Sequence, residues 1–180
     1  MAIRKIARLG HPVLRYQAHS LSVEEISSLS TKNLIRDMLD TVVDAEGQGL
    51  AAPQIHEQKQ IILLDLDDGE GFRVWINPEL TSLTDECIVT FEGCLSIPGM
   101  RGAVARSSKI KVSALDENGE AIELLLRDYP AVIAQHECDH LNGILYVDRV
   151  EPGTLCFVEE YRKFGHLFFE ENDESSSQED

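Results

Sequence analysis

The segment His136-Glu137-Cys138-Asp139-His140 constrains the fold of this chain more than any other feature, because its pattern is functional only on a helix. Pro130 suits the first position of a helix and Gly143 suits the position just past a helix end, so a helix is predicted to begin near Pro130 and to end before Gly143. On that helix the two histidines lie one turn apart on the same face, and both imidazoles can bind one metal ion. The glutamate lies about 100° around the helix, where it can act as general base on a metal-bound water.

The third metal ligand decides the class of site, because a catalytic site of this kind has three protein ligands and one open position. Tyr146 stands where a metzincin pattern would place a third histidine, which excludes that class. Glu160, on a helix predicted to follow Pro152, is spaced to serve as the third ligand of a thermolysin-like site. Cys94 offers a thiolate instead, at the end of a predicted strand. The spacing alone does not choose between Cys94 and Glu160.

The remaining patterns predict an α+β fold, in which antiparallel β-sheets pack around a central helix carrying HExxH, with N-terminal and C-terminal helices. Ser22 and Glu25 have the spacing of a capping box, and a first helix is predicted from there to Gly47, with serines at 27, 28 and 30 that can interrupt it. Asn118-Gly119 predicts a two-residue hairpin turn between two of several strand-like runs. The C-terminal helix is predicted from an apolar stripe formed by Leu155, Val158, Phe164 and Leu167.

The domain organisation is predicted to be one catalytic domain over residues 1–169, followed by a disordered acidic tail over residues 170–180. The cysteines lack the regular spacing of a disulfide framework. Cys138 faces away from the two histidines on their helix and is predicted to be a packed thiol. Cys87 and Cys156 are predicted to be simply buried.

The charge balance argues against a nucleic-acid partner. The chain has 180 residues, with 16 Lys plus Arg against 32 Asp plus Glu, for a net charge of −16 that repels phosphates. No apolar run approaches the roughly 18 residues that a membrane span requires, and no secretion signal is visible at the start. The expected location is therefore the cytoplasm, without membrane or stable nucleic-acid binding.

Three segments together resemble the signature motifs of peptide deformylases: GQGLAAPQ at 47–54, EGCLS at 92–96 and QHECDHLNG at 135–143. The resemblance covers about residues 3–165. It implies hydrolytic removal of the formyl group from the N-terminal formyl-methionine of newly synthesised proteins, with release of formate. It also implies one divalent metal ion, Fe²⁺ as the native ion with Zn²⁺, Ni²⁺ or Co²⁺ as substitutes, held by Cys94, His136 and His140.

The resemblance also implies roles for the residues around this metal. Glu137 takes a proton from the metal-bound water, the resulting hydroxide attacks the formyl carbonyl, and Glu137 returns the proton to the leaving amine. The backbone N–H of Leu95 and the side-chain amide of Gln54 stabilise the negative oxygen. Gly47 and Gly49 are interpreted as positions where the substrate backbone approaches closely.

Two apolar residues on the predicted site helix are candidates for the substrate pocket. Ile133 lies three residues before His136 and so shares the face of the histidines, and Val132 is its neighbour. An apolar wall at this place suits a methionine side chain. Glu92 and Arg101 flank the cysteine motif and are predicted to form an ion pair that holds its loop.

The expected partners are the N-formyl-methionyl peptides of nascent chains, in transient proximity to the ribosome. Some peptide deformylases engage the ribosome through a basic C-terminal helix, whereas the C-terminal sequence here is acidic. Two other functions stay open: a thermolysin-like metallopeptidase that uses Glu160, and a binding module in which HExxH holds a structural metal. Neither explains why GQGLAAPQ and EGCLS accompany the histidine motif.

Overall fold

The computed structural model describes residues 2–170, and its first helical region is two helices rather than one. Helix α1 (Val23–Ser27) begins with the predicted capping box, in which Ser22 and Glu25 bond each other's backbone N–H groups. Ser28 then leaves the helical conformation at ψ 147° and caps helix α2 (Leu29–Asp44) with its hydroxyl. The helix is interrupted at the serine cluster because serine side chains compete for backbone hydrogen bonds.

The strands form two antiparallel sheets, which agrees with the predicted α+β class. The five-stranded sheet has the order β1-β2-β3-β6-β7, and the three-stranded sheet has the order β4-β5-β8. The strands of the larger sheet are β1 (Gly49–Ala51), β2 (Ile61–Asp65), β3 (Phe72–Ser82), β6 (Lys109–Leu115) and β7 (Ala121–Arg127). Those of the smaller sheet are β4 (Cys87–Cys94), β5 (Ile97–Ser107) and β8 (Cys156–Phe157).

The β6–β7 hairpin lies where Asn118-Gly119 predicts it, but its loop is longer than two residues. Leu115 pairs with Ala121, and the backbone N–H of Asp116 donates to the carbonyl of Glu120 at 2.9 Å. Gly119 adopts a positive φ of 81°, which glycine tolerates without strain. The carboxylate of Asp116 accepts the N–H groups of Asn118 and Glu120, both at 2.8 Å, and this side-chain acceptor stabilises the longer loop.

Helix α3 (Asp128–Leu141) contains residues 136–140 and contacts both sheets. On one side its alanines pack into the core that Ile62 and Trp75 of the larger sheet also occupy. On the other side Asp139 bonds Arg106 of β5. The helix ends as predicted before Gly143, where φ is +71° and an added methyl group would lie 2.6 Å from the carbonyl oxygen of Arg15.

The C-terminal region is helical, as α4 (Val158–Phe164) and α5 (Leu167–Glu170), but of the four residues in its predicted apolar stripe only Val158 is half-buried. Leu155, Phe164 and Leu167 are 42%, 50% and 49% exposed. The contact with the sheet is made instead by Tyr161 and Phe168, whose rings lie 4.6 and 5.1 Å from that of Phe91 on β4. The helix therefore docks through aromatic side chains that the periodicity did not single out.

One of the three predictions of buried thiols is confirmed. The predicted tail lies almost entirely outside the described residues. Cys138 is buried as predicted, whereas Cys87 is exposed and Cys156 is half-buried. Of residues 170–180, only Glu170, the last residue of α5, belongs to the described part of the chain. No helix within residues 2–170 has both the length and the apolar character needed to cross a membrane.

Candidate active site

Cys94, His136 and His140 converge where the end of β4 faces α3. The sulfur and one nitrogen of each imidazole ring all lie within 4.8 Å of one another. The sulfur of Cys94 is 3.2 Å from Nε2 of His140, and the two histidine rings are 5.2 Å apart between centroids. One thiolate and two imidazoles are donors that suit Zn²⁺, Fe²⁺ and related divalent ions.

The tautomer and charge of this cluster favour metal binding. Nδ1 of His136 is 2.7 Å from Oε2 of Glu92, so the Nδ1–H group donates a hydrogen bond to the carboxylate and Nε2 is left free to bind a cation. Burial alone would raise the pKa of the Cys94 thiol, but the neighbouring His140 and His136 hold that pKa well below its ordinary value. The donor set therefore fits a divalent metal ion.

Glu92 pairs with Arg106 rather than with Arg101, which corrects the predicted ion pair. The guanidinium of Arg106 donates to both carboxylate oxygens of Glu92, at 2.7 and 2.9 Å. The register explains this choice, because Glu92 lies opposite Gly102 on β5 and residues two apart share a face of the sheet. Arg106 is on that face, whereas Arg101 points to the other and donates to the carbonyl of Phe91 at 3.3 Å.

The charge of Glu92 is maintained inside the protein by its neighbours. Burial raises the pKa of this carboxyl, but hydrogen bonds from Arg106 and His136 outweigh it and hold the pKa at about 2. Asp139 continues the network, since it accepts from Arg106 and also from Arg149 at 2.7 and 2.8 Å. The orientation of His136 is thus set by a chain of buried charges.

Glu137 is a deeply buried acid of this site. It is 5% exposed, and its Oε2 has no hydrogen-bond partner among the residues that the structure describes. Burial raises its pKa to about 7, although the nearby histidines act in the opposite direction. Gly49 of β1 packs directly on this carboxyl, since an added methyl group there would lie 2.6 Å from Cδ of Glu137.

Gln54 and Leu95 lie beside Cys94, on two different loops. Gln54 belongs to the short 3₁₀ turn Ala52–Ile55, and its side-chain carbonyl accepts from the N–H of Ala51 at 2.8 Å. Its Nε2 then donates to the hydroxyl of Ser96 at 3.2 Å and lies 3.5 Å from the sulfur of Cys94. Leu95 follows Cys94 directly, so its backbone N–H is one residue from the thiolate.

These residues line a cleft with a volume of about 320 Å³. Nine of the ten residues predicted for the site are among its lining, and His140 lies behind them, in contact with Cys94. The nine are Gly47, Gly49, Gln54, Cys94, Leu95, Val132, Ile133, His136 and Glu137. Glu160 is instead on α4, where its carboxylate bonds Lys163 at 2.8 Å.

The cleft also contains residues that the sequence did not single out. Tyr129 lines it, and its position seven residues before His136 could have indicated this, because residues seven apart share a helix face. Phe91 and Val158 line it as well, on β4 and α4. Gln48 is another lining residue, and its side chain accepts a hydrogen bond from Tyr129. Gln48 belongs to the GQGLAAPQ motif and Val158 to the predicted apolar stripe, but neither pattern assigned its residue to the cleft.

Comparisons with known proteins agree with this geometry. A family model described as polypeptide deformylase matches residues 3–154. A peptide deformylase of Leptospira biflexa is 43% identical over 164 residues, which cover 86% of this chain and 92% of the relative. The solved peptide deformylase of Thermotoga maritima has a TM-score of 0.79 and 37% identity, and the match covers 84% of this chain and 100% of that one. A class I type b peptide deformylase from Acinetobacter baumannii, bound to Met-Ala-Ser, has a TM-score of 0.78 and 35% identity over 83% of this chain and 100% of its own.

Proposed function

The chain belongs to the polypeptide deformylase family, and we propose that it hydrolyses the formyl group from the N-terminal formyl-methionine of nascent proteins and releases formate. The observation that carries this proposal is the cluster of Cys94, His136 and His140 in a cleft, beside Glu137, whose Oε2 has no hydrogen-bond partner among residues 2–170. A formamide is a poor electrophile, so its hydrolysis needs an activated water, a stabilised oxyanion and a proton for the leaving amine. Each need has a candidate group in the cleft.

Cys94, His136 and His140 would hold the metal, with Fe²⁺ as the native ion and Zn²⁺, Ni²⁺ or Co²⁺ as substitutes. A divalent ion bound there would lower the pKa of a bound water and polarise the formyl carbonyl. The bond between Glu92 and Nδ1 of His136 fixes the ring so that Nε2 faces the cluster.

Glu137 would move the proton. A carboxyl with a pKa of about 7 is able both to accept a proton from the attacking water and to give it back near neutral pH. The water adds its oxygen to the formyl carbon, the carbon–nitrogen bond breaks, and the proton held on Glu137 goes to the amine nitrogen. The free Oε2 of Glu137 is the atom available for this transfer.

Gln54 and Leu95 would stabilise the negative oxygen that forms during attack. The Gln54 amide is already oriented, because Ala51 and Ser96 bond its two ends. Donors that are fixed before the reaction stabilise a developing charge without reorganising. The N–H of Leu95 supplies the second donor.

The substrate would bind between β1 and α3. Strand β1 (Gly49–Ala51) is an edge strand of the five-stranded sheet, so its outer edge can pair with an extended peptide backbone, and Gly47 lies two residues before Gly49 in the same cleft. Val132 and Ile133 of α3 provide an apolar wall for the methionine side chain. The relative from A. baumannii that is bound to Met-Ala-Ser supports a peptide ligand of this kind.

The setting of this reaction is the cytoplasm, where nascent chains leave the ribosome. The partner is the formylated N-terminus of such a chain, met in transient proximity to the ribosome. The net charge of −16 opposes stable binding of nucleic acid.

The test is release of formate from N-formyl-Met-Ala-Ser by Fe²⁺-loaded protein under anaerobic conditions. We expect formate from the wild type and none above background from Glu137→Ala. Glu160→Gln is the matched control, since this exposed acid bonds Lys163 and should leave turnover unchanged. If the folded, metal-loaded wild type releases no formate, the proposal is wrong, and a screen for peptide-bond cleavage becomes the next experiment.

A further inference from the structure

Strand β7 (Ala121–Arg127) forms an edge of the five-stranded sheet, because the order of that sheet ends at β7. Among the residues that the structure describes, only β6 pairs with it. β7 has seven residues, contains no proline and pairs with β6 without a register shift. Prolines, bulges and very short edge strands are features that usually prevent an edge from pairing with another chain. The β7 edge has none of these features and can therefore accept a further strand.

The backbone groups that face outward from this edge follow from the bonds at the two ends of the β6–β7 pairing. The N–H of Asp128 donates to the carbonyl of Ser108, and the N–H of Asp116 donates to the carbonyl of Glu120, both at 2.9 Å. Bonded positions alternate along an antiparallel pair, so the even-numbered residues of β7 bond β6. The backbone groups of the odd-numbered residues point away from β6, and these residues are Ala121, Glu123, Leu125 and Arg127.

The side chains of this edge are apolar on both faces of the sheet and charged on one. Leu125 is 65% exposed, and it lies between two exposed residues of opposite charge, Glu123 and Arg127. On the opposite face, Leu124 and Leu126 border a groove with a volume of about 650 Å³, between β7 and the first turn of α3. A strand that pairs with this edge would therefore need apolar residues on both faces and charges of both signs.

The β7 sequence itself meets these needs in one antiparallel register. When Leu125 of one copy lies opposite Leu125 of a second copy, Glu123 lies opposite Arg127 of the second copy, and the same pair forms again by symmetry. On the other face, Leu124 lies opposite Leu126 of the second copy. The neighbouring registers that use the same backbone groups place Glu123 or Arg127 opposite Leu125 and pair no opposite charges.

We propose that β7 is the interface of a homodimer, in which the β7 strands of two copies pair antiparallel about Leu125. The two five-stranded sheets then continue into one another across the interface. None of the β7 residues lines the candidate active site, so the inference does not depend on the proposed function. The net charge of −16 on each copy opposes the association, but salt screens distant charges much more than adjacent pairs.

The experiment is sedimentation equilibrium of the full-length, metal-loaded chain at about 0.15 M salt, where the Debye length is about 8 Å. The concentration series extends to several hundred micromolar. We expect the wild type to dimerise with a dissociation constant on the order of tens of micromolar, because a pairing of two such strands is smaller than the interface of a stable dimer.

A charge exchange tests the register. Arg127→Glu and Glu123→Arg should each weaken the dimer by about 2- to 30-fold or more, the range for the loss of two cross-strand pairs of opposite charge. The double variant Glu123→Arg with Arg127→Glu forms the same pairs with their signs exchanged, so it should dimerise like the wild type. Arg162→Glu is the matched control, because it makes the same change in net charge on exposed α4 and should leave the dissociation constant unchanged.

A proline tests the backbone bonds. Leu125→Pro removes an outward N–H and leaves the bonds to β6 in place, and proline is tolerated at such a position of an edge strand. This variant should keep the circular dichroism spectrum of the wild type and show no dimer. The charge variants should fold as well, since the only ion pair that they remove is the exposed one between Lys111 and Glu123 within residues 2–170.

Three results would overturn the inference. One is a wild type that stays monomeric up to several hundred micromolar. Another is a folded Leu125→Pro variant that dimerises like the wild type, because a different surface would then hold the two copies together. The third is a double charge variant that dimerises no better than the single variants, which would exclude the register about Leu125. None of these readouts uses formate release, so they are distinguishable from a failure of the proposed function.

Discussion

Position 49 requires glycine because the side chain of Glu137 packs directly against it. Its φ is not positive, so backbone conformation does not call for glycine there. The requirement comes from Glu137, whose carboxyl occupies the space where a side chain at position 49 would begin. The glycine therefore leaves room for the buried acid as well as for an approaching peptide backbone.

Gly49→Ala should displace Glu137 and lower kcat/KM for formate release by about 100-fold, because a shift of about 1 Å in a reacting group has an effect of that size. Metal content should stay at the wild-type level, since Cys94 and the two histidines are unchanged. Steady-state kinetics together with metal analysis checks both expectations. Wild-type kinetics in Gly49→Ala would contradict the inference that the space occupied by the Glu137 carboxyl requires glycine at position 49.

The third ligand is tested by a pair of substitutions. Cys94→Ser should lose bound metal during dialysis against a weak chelator, because a hydroxyl is a much poorer ligand than a thiolate for Fe²⁺ or Zn²⁺. Glu160→Gln should retain one ion per chain, since Glu160 bonds Lys163 on α4. Metal analysis after dialysis gives the answer, and the reverse pattern would favour a thermolysin-like site.

At the scale of elements, buried charges join the three-stranded sheet to α3. Glu92 of β4 and Arg106 of β5 bond each other, and each also reaches the helix, Glu92 at His136 and Arg106 at Asp139. Glu92 and Arg106 are 7% and 4% exposed. A pair buried so deeply contributes little net stability, but removal of one partner leaves an uncompensated charge.

Arg106→Met should therefore lower the free energy of unfolding by about 3–5 kcal/mol, measured by urea denaturation of the metal-free protein. The double variant Glu92→Gln with Arg106→Met should regain part of this loss, because no charge is then left unpaired. Arg101→Met is the matched control and should change stability by less than about 1 kcal/mol, since Arg101 is exposed on the other face of β5. Equal losses in Arg106→Met and Arg101→Met would contradict the assignment of the ion pair.

The elements also show which features a sequence reveals. The C-terminal end of α3 and the capping box of α1 were predictable, because short-range residues such as Ser22, Glu25 and Gly143 determine them, whereas α3 begins at Asp128, two residues before the predicted Pro130. The partner of Glu92 was not, since Arg101 and Arg106 differ only in which face of β5 they occupy, and that face depends on the strand register. The docking of α4 through Tyr161 likewise depends on where Phe91 lies in the folded sheet.

At the scale of the whole molecule, the two sheets and α3 assemble the site, because each sequence motif supplies only some of its residues. GQGLAAPQ, EGCLS and the histidine motif lie on β1, β4 and α3, and only their packing brings Gly49, Cys94 and His136 to one cleft. The strong negative charge is also a property of the whole molecule, because it comes from residues spread over the chain. Such a charge sets a field that acts on a substrate before it makes contact.

This field should favour formylated peptides that carry a positive charge. We expect kcat/KM for N-formyl-Met-Ala-Lys-amide to exceed that for N-formyl-Met-Ala-Glu-amide at low salt by about fivefold, which corresponds to about 1 kcal/mol of screened attraction. The difference should shrink as salt rises to about 1 M, where the Debye length falls to about 3 Å. Arg101 lines the cleft, and its positive charge opposes the negative field there. Arg101→Gln should therefore increase the preference for the lysine peptide. A preference that persists unchanged at high salt would show a direct contact in the cleft, and a preference for the glutamate peptide would show that Arg101 outweighs the net charge of −16.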